Sequence, residues 1–253
     1  MAFSEFTEEC PSGAFQKTIT VTDVQTDAFS RMTPGALARE MADTTSEHMA
    51  ILGLDYNTLR SHGLLWVLIR TALWVQCLPQ CGESVLLRTW AGEERHWMYP
   101  HRTVIFSSTG EILVSACSQW MLIDMNTRRM APPSEMMWAI PVISLPDEPK
   151  LPAQRILFPV EISESTERIV QPQEIDFNGH LNNSYYLDWA VDLLEPSYLQ
   201  DHALCFLWVE YCKELLEGQA ASLHYKREDD SLFLKGYIDG NESFSLKMEF
   251  GPV

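Results

Sequence analysis

The sequence has little positive charge, and it lacks the segments that carry a protein into or across a membrane. Its 18 Lys and Arg residues stand against 35 Asp and Glu residues, for a formal net charge of −17. Such an excess repels phosphates, so we expect no nucleic-acid partner and no adsorption to anionic lipid. Residues 1–15 have neither a basic nor an apolar stretch, and no apolar run reaches the ~18 residues of a membrane span. These absences predict a cytoplasmic chain with no membrane partner.

The sequence also lacks a clear metal-binding pattern. Six cysteines are present, and Cys77 and Cys81 lie four positions apart without a second pair of ligands nearby in sequence. A zinc site needs such a second pair, so none is predicted. Cysteines of a cytoplasmic protein are usually reduced, and we expect free thiols. We predict neither a metal nor another cofactor.

Prolines are concentrated in residues 131–154, which hold six of the fourteen. Proline fixes the backbone and removes a hydrogen-bond donor, so neither a helix nor a central strand is expected there. The segment therefore reads as a linker. We divide the chain into a first unit over residues 1–130, this linker, and a second unit over residues 155–253.

The first unit shows one helical pattern followed by strand-like runs. The helix is predicted over 33–53, with Thr33 as N-cap and Pro34 at the first helical position. The runs that follow are rich in β-branched and aromatic residues, which favour strands. These strands are predicted at 64–76, 83–94, 101–108 and 111–124.

The second unit repeats this order. Its helix is predicted over 182–194, with Asn182 or Asn183 as cap and Pro196 ending it. Its strands are predicted at 204–216, 220–228, 231–239 and 242–250. The triplet "LWV" opens the first long strand of each unit. One helix followed by a meander predicts an α+β fold, in which an antiparallel sheet wraps each helix and the two sheets pair edge to edge.

The stretch "EIDFNGHLNN" carries the densest group of polar residues. Asp176, Asn178 and His180 alternate, and in an extended segment this spacing places all three on one face. Asp, Asn and Gly also form local turns and caps, so a purely structural role is an alternative. Histidine ordinarily titrates near neutral pH, which suits acid–base catalysis. Free N–H groups near Asn182, at the start of the helix, could stabilise an oxyanion.

Two motifs carry a resemblance to a known family. The segment "DFNGHLNNSYYLDWAVD" resembles the D-x-N-x-H-x-N-N-x-x-Y-x-x-W signature of the plant-type fatty acyl–acyl-carrier-protein thioesterases, a family that has bacterial members. The segment "VEYCKEL" resembles the family's L-E-Y-x-x-E-C, with Glu210, Tyr211 and Glu214 in register and Leu215 in place of the cysteine. Similar segments lie in the first unit, so the resemblance covers nearly the whole chain.

The resemblance implies two tandem hotdog units that form a pseudo-dimer. It implies hydrolysis of fatty acyl thioesters in the second unit, with the acyl chain in the first and acyl carrier protein as the partner. The implied site residues are Asp176, Asn178, His180 and Glu214. With no cysteine at position 215, we expect direct attack by a water that Glu214 activates, helped by His180.

Two points about this site stay open. Glu210 competes with Glu214 for the role of the base, because both would lie on one face of a regular strand. Aligning "LWV" on "LWV" puts Ala72 opposite Glu214, and the first helix opens with "MTPGALA" where the second opens with "DFNGHLNN". The first unit is therefore expected to lack the acid, amide and imidazole. We therefore predict one active site per chain.

The strong negative charge raises a question about the partner, because acyl carrier protein is itself acidic. A local basic patch would be needed, and coenzyme A thioesters become substrates if none forms. The alternatives are a dehydratase acting on hydroxyacyl thioesters and a non-catalytic acyl-binding module, and a homodimer is also compatible with the sequence. The candidate patch comprises Arg88, Arg95, Arg102, Arg128 and Arg129.

Overall fold

Two similar units build the protein, as seen in a computed structural model that describes residues 9–132, 139–145 and 148–253. The elements of the first unit are β1 (Ala14–Thr20), α1 (Pro34–Ile51), α2 (Tyr56–Ser61), β2 (Leu64–Val75), β3 (Ser84–Ala91), β4 (Met98–Phe106) and β5 (Ile112–Asp124). Those of the second are β6 (Glu164–Ile169), α3 (Tyr185–Val191), α4 (Pro196–Asp201), β7 (His202–Tyr211), β8 (Ala220–Glu228), β9 (Ser231–Ile238) and β10 (Asn241–Pro252).

All ten strands form one sheet in the order β1-β3-β4-β5-β2-β7-β10-β9-β8-β6. Every neighbouring pair is antiparallel, and β2 joins β7 at the centre with Ala72 opposite Trp208. The order is symmetrical about this junction, so the units are related as the halves of a dimer would be. The predicted α+β fold, with two sheets joined edge to edge, is confirmed.

The long helix α1 begins where the sequence predicts. The Thr33 hydroxyl accepts a hydrogen bond from the Ala36 N–H at 3.2 Å, and Pro34 opens the helix. Leu37 and Met41 are at most 5% exposed, so this face of the helix packs into the core. Capping and burial together explain why this 18-residue helix forms.

The helix of the second unit is shorter than predicted. It covers only the seven residues of α3, begins after Ser184, and ends well before Pro196, which instead opens α4. The Asn182 side chain accepts from the N–H and the hydroxyl of Ser184, at 3.0 and 2.8 Å. It therefore stabilises a turn ahead of the helix, and the prediction that Asn182 or Asn183 is the cap is wrong.

Three features of the sheet differ from expectation. Strands β1 and β6 were not predicted, because their residues alternate poorly and are mostly half-buried or exposed. Strand β7 ends at Tyr211, because the N–H groups of Cys212 and Lys213 both donate to the Ser243 carbonyl. Glu214 therefore lies in a loop, and the prediction that it shares a strand face with Glu210 is wrong.

The chain between the units packs back on the first one. Ile143 donates a backbone hydrogen bond to Ala91 at the end of β3, at 3.3 Å. Glu148 forms a 3.0 Å ion pair with Arg102 of β4. The described part of this segment contains neither helix nor sheet strand, as its prolines predict. No helix in the described ranges is both long and apolar enough to cross a membrane.

Candidate active site

The polar stretch at 176–180 is a turn, and the prediction of an extended segment is wrong. One oxygen of Asp176 accepts from the backbone N–H of Asn178 at 2.8 Å and of His180 at 3.2 Å. The Asp176 N–H in turn donates to the His180 carbonyl at 2.8 Å. Gly179 adopts a φ of 84°, which glycine tolerates best. The Asp176 carboxylate therefore organises the loop that presents Asn178 and His180.

His180 and Glu214 meet although 34 positions separate them in the sequence. A backbone hydrogen bond of 2.7 Å from Leu181 to Leu215 joins the two loops. It brings Nε2 of His180 to 3.2 Å from Oε2 of Glu214. Both side chains are partly exposed, at 28% and 40%. The arrangement supplies an imidazole and a carboxylate side by side, which is a pair suited to proton transfer.

Arg128 is a third charged group at this place, and sequence reasoning did not assign it to the site. Its Nη2 lies 2.7 Å from each oxygen of Glu214. Arg128 comes from the turn after β5 of the first unit, whereas Glu214 belongs to the second. Its only signal in the sequence was its positive charge, which had suggested a surface patch.

Asn178 is exposed and lies in the same cavity wall as His180 and Glu214. Its side-chain amide forms no hydrogen bond with any residue that the structure describes. The amide is therefore free to bind a carbonyl oxygen or a water that enters the cavity.

Glu210 has a different neighbour. It lies on β7 opposite Arg70 of β2, and its carboxylate is 4.0 Å from the Arg70 guanidinium. It does not contact His180. The structure thus brings Glu214, and not Glu210, to the imidazole.

A cavity of about 1640 Å³ opens at these polar groups. Its polar end is accessible, because Asn178 is exposed and Glu214 is partly exposed. Its other walls come from α1, α2 and the sheet of the first unit, and from α3 and β7 of the second. The apolar lining includes Met41, Met49, Leu54, Trp66, Tyr99 and Trp120. A cavity of this size and lining fits a long apolar ligand.

Neither the cysteines nor a group of metal ligands suggests a different chemistry at this site. All six cysteines are free thiols, as predicted. Burial raises the pKa of the Cys212 thiol, and the carboxylates of Glu242 and Glu210 raise it further. A protonated thiol is a weak nucleophile, which favours attack by water. Within the described residues, no three His, Cys, Asp and Glu side chains could hold a metal ion together.

The basic patch predicted from five arginines does not form. Arg88 and Arg102 are buried, with 5% and 9% exposure, and Arg102 pairs with Glu148. Arg95 pairs with Glu93, and Arg128 pairs with Glu214. Of the five, only Arg129 is exposed without an ion pair to another residue that the structure describes, and one arginine does not form a docking patch.

The first unit retains the same turn with different side chains. Asp27 accepts from the N–H groups of Phe29 and Arg31 at 2.9 Å each, as Asp176 does from Asn178 and His180. The expectation that the first unit lacks the acid is therefore wrong. It does lack the amide and the imidazole, because Phe29 and Arg31 take their places.

The counterpart of Glu214 is Leu78. In the second unit, the N–H of Leu181, the first residue after the turn, donates to the carbonyl of Leu215, which follows Glu214, at 2.7 Å. In the first unit, the N–H of Met32, the first residue after its turn, donates to the carbonyl of Pro79, which follows Leu78, at 2.8 Å. The alignment on "LWV", which put Ala72 opposite Glu214, is wrong. Leu78 is buried at 6% exposure, so the first unit has no carboxylate at this position.

Comparisons with known proteins agree with this architecture. Residues 13–139 match the family described as acyl-ACP thioesterase N-terminal domain, and residues 159–249 match the acyl-ACP thioesterase C-terminal domain. A palmitoyl-acyl carrier protein thioesterase of Cuphea hookeriana is 27% identical over 69% of this chain, and one of Gossypium hirsutum is 30% identical over 60%. The chain spans only 45% and 38% of the lengths of these chloroplastic relatives.

Solved structures show the same fold along nearly the whole chain. An acyl-ACP thioesterase from Bacteroides thetaiotaomicron superposes with a TM-score of 0.86, covering 96% of this chain and 100% of its own, at 19% identity. A 12:0-ACP thioesterase from Umbellularia californica superposes with a TM-score of 0.82, covering 95% and 98%, at 20% identity. Since the two family matches together account for most of the residues, the chain belongs to the acyl-ACP thioesterase family.

Proposed function

We propose that the protein hydrolyses fatty acyl thioesters carried by acyl carrier protein. The observation that carries this proposal is the His180–Glu214 pair at the open, polar end of a large apolar cavity. Thioester hydrolysis needs an activated water beside a bound acyl chain, and this arrangement provides for both. Membership of the family supports the choice of carrier.

In the proposed mechanism, Glu214 accepts a proton from a water that attacks the thioester carbon. The new C–O bond gives a tetrahedral oxyanion, which the side-chain amide of Asn178 stabilises in this proposal by donating a hydrogen bond. The C–S bond then breaks, and the thiolate takes the proton through His180, which returns the pair to its starting state. Asp176 acts through the backbone, by holding the turn that carries Asn178 and His180.

The sequence-based oxyanion site loses one of its N–H groups. The Asn182 N–H donates to the Glu174 carbonyl at 2.9 Å, so it is occupied and cannot bind an oxyanion. The Asn178 side chain takes this role in the proposal instead.

In this proposal the two units have different roles. The first unit, within residues 1–130, surrounds the acyl chain, and the second, within residues 155–253, carries the hydrolytic groups. The described part of the 131–154 segment contacts β3 and β4 of the first unit. The apolar lining from α1 and β2 favours a hydrocarbon chain there.

Thiol release from acyl-carrier and acyl-coenzyme A thioesters of increasing chain length tests the proposal. We expect release with the wild-type chain and a loss of about 100-fold or more in Glu214→Gln. Glu210→Gln is the matched control, because it removes a carboxylate that contacts Arg70 and not His180. Near-full activity of Glu214→Gln would show that Glu214 is not the general base.

The same assay separates the alternatives. A dehydratase would convert a 3-hydroxyacyl thioester to an enoyl product without releasing thiol, and a binding module would release nothing. Release from coenzyme A thioesters only would reject the carrier protein as the partner. Because the chain is strongly acidic and the predicted arginine patch does not form, we expect activity on the carrier-bound substrate to rise when salt screens the repulsion.

A further inference from the structure

Arg128 lies at the end of a well-defined turn in the first unit. One carboxylate oxygen of Asp124 accepts from the N–H groups of Asn126 and Thr127, at 3.0 and 2.7 Å. The Arg128 N–H donates to the Asp124 carbonyl at 2.9 Å, and Arg128 adopts a left-handed φ of 57°. These bonds fix the backbone from which the arginine extends.

The guanidinium reaches into the second unit and contacts both oxygens of Glu214 at 2.7 Å through Nη2. One of these oxygens also faces His180 at 3.2 Å. Arg128, Glu214 and His180 therefore form a contiguous set in which the carboxylate contacts both nitrogen groups. The first unit supplies one member of this set and the second unit supplies the other two.

The ion pair contributes little to stability. The side chains of Arg128 and Glu214 are 51% and 40% exposed, and pairs this exposed are weak in water. Its effect on geometry is larger, because a glutamate at the end of a loop has three rotatable side-chain bonds. Misplacing a reacting group by about 1 Å can cost about 100-fold in rate.

We propose that Arg128 is a positioning residue for the hydrolysis, an inference that rests on the proposed function. It holds the Glu214 carboxylate turned toward His180, while the carboxylate keeps lone pairs for the attacking water. The hydrolytic site is thus composite, since the second unit needs Arg128 of the first to be complete.

A docking role for Arg128 does not fit its position. The phosphate of a pantetheine carrier lies at the opposite end of the arm from the thioester. A guanidinium in contact with Glu214 lies beside the reacting carbonyl and not beside that phosphate. The contact therefore indicates a role in the chemical step, with little effect on binding of the carrier.

The test compares Arg128→Gln, Arg128→Lys and Arg129→Gln in the full chain, with an acyl thioester that the wild type hydrolyses. Arg129 is the matched control, because it is exposed in the same turn and its backbone bonds do not depend on its side chain. We expect Arg128→Gln to lower kcat by about 10- to 100-fold with KM changed less than about twofold. Arg128→Lys should recover part of kcat, and Arg129→Gln should match the wild type.

A double variant separates positioning from a loss of structure. In a Glu214→Gln background, Arg128→Gln should have no further effect, because the carboxylate that it orients is gone. Loss of kcat by the same factor in both backgrounds would overturn the proposal, and so would a wild-type kcat in Arg128→Gln. If the wild type itself released no thiol, the proposed function would be wrong, and this inference with it. A wild type that releases thiol together with an Arg128→Gln variant of unchanged kcat would overturn this inference alone.

Discussion

The two units contain the same turn but use it differently. In residues 27–31 and 176–180 an aspartate accepts from the backbone N–H groups two and four residues later, and its own N–H donates to the last carbonyl. The backbone is therefore repeated almost bond for bond. The side chains at the last position differ, with Arg31 in one turn and His180 in the other.

Arg31 makes the first turn part of the interface between the units. Its guanidinium pairs with Asp27 at 2.9 Å and donates to the His202 carbonyl at 3.0 Å and to the Leu199 carbonyl. It is only 6% exposed. His180 instead remains partly exposed and faces Glu214. One copy of a common turn thus contributes to the interface between the units, and the other leaves its histidine beside Glu214.

The largest expected effect comes from giving the second turn the side chain of the first. In His180→Arg, a permanent cation would pair with Glu214 or Asp176 and could not transfer a proton. We expect kcat to fall by about 10³-fold, with the melting temperature nearly unchanged. Thiol release measures kcat, and thermal unfolding measures the melting temperature. If the variant retained a tenth of the activity, His180 would not be the proton-transfer group.

The next effect is on stability and concerns the first turn. Arg31→Met removes a buried cation and leaves Asp27 and two carbonyls without their partner. We expect a loss of about 3 kcal/mol in the free energy of unfolding, measured with urea. Arg129→Met, at an exposed arginine, should change it by less than about 0.5 kcal/mol. Full stability of Arg31→Met would mean that the contacts to α4 and β7 do not hold the units together.

A buried histidine of the first unit is expected to make the fold sensitive to acid. His101 lies in the core of the first unit, beside His48 of α1, Thr89 of β3 and Arg102. Burial, followed by the charges of His48 and Arg102, lowers the pKa of His101 from its usual 6.5 to about 3. The unfolded chain therefore takes up a proton below pH 6.5 that the folded chain refuses, so stability falls as the pH drops.

We expect His101 to account for a loss of about 2 to 3 kcal/mol between pH 6.5 and pH 4.5. Urea unfolding across this range measures the loss. His101→Gln has no imidazole to protonate and should flatten the curve, whereas the exposed His96→Gln should leave its slope unchanged. An unchanged slope in His101→Gln would show that other groups cause the acid sensitivity.

Sequence reasoning found the elements that carry strong local signals. Thr33 and Pro34 mark the start of α1, and the apolar strands β2, β5 and β10 are close to their predicted limits. It missed β1 and β6, the outermost strands, because their exposed faces carry polar residues and little alternation. It overextended the second helix, because the Asn182 side chain forms a turn where the pattern favoured a cap.

In the site, too, some features could be predicted from the sequence and others could not. Alternation suggested that Asp176, Asn178 and His180 share a strand face, yet the structure forms a turn because the Asp176 carboxylate bonds the backbone ahead of it. The pairing of His180 with Glu214 was predicted through the family motifs. The contact from Arg128 could not be predicted, because it depends on how the two units meet and leaves no local pattern.

The smallest expected effect concerns the residue before the last position of each turn. Ser30 adopts a φ of 65° and Gly179 a φ of 84°, so both lie in the left-handed region. Only glycine occupies this region without a steric cost, which for other residues is about 1 kcal/mol or more. Ser30→Gly should relieve this cost, although a more flexible unfolded chain offsets part of the gain.

We therefore expect Ser30→Gly to stabilise the fold by a few tenths of a kcal/mol, and Gly179→Ser to destabilise it by about 1 kcal/mol. No atom lies within 4 Å of a Cβ built on Gly179, so the serine would meet backbone strain and no clash. If the turn positions His180, Gly179→Ser should also lower kcat, whereas Ser30→Gly should leave it unchanged. Equal effects of the two substitutions on kcat would contradict the division between a structural turn and a catalytic one.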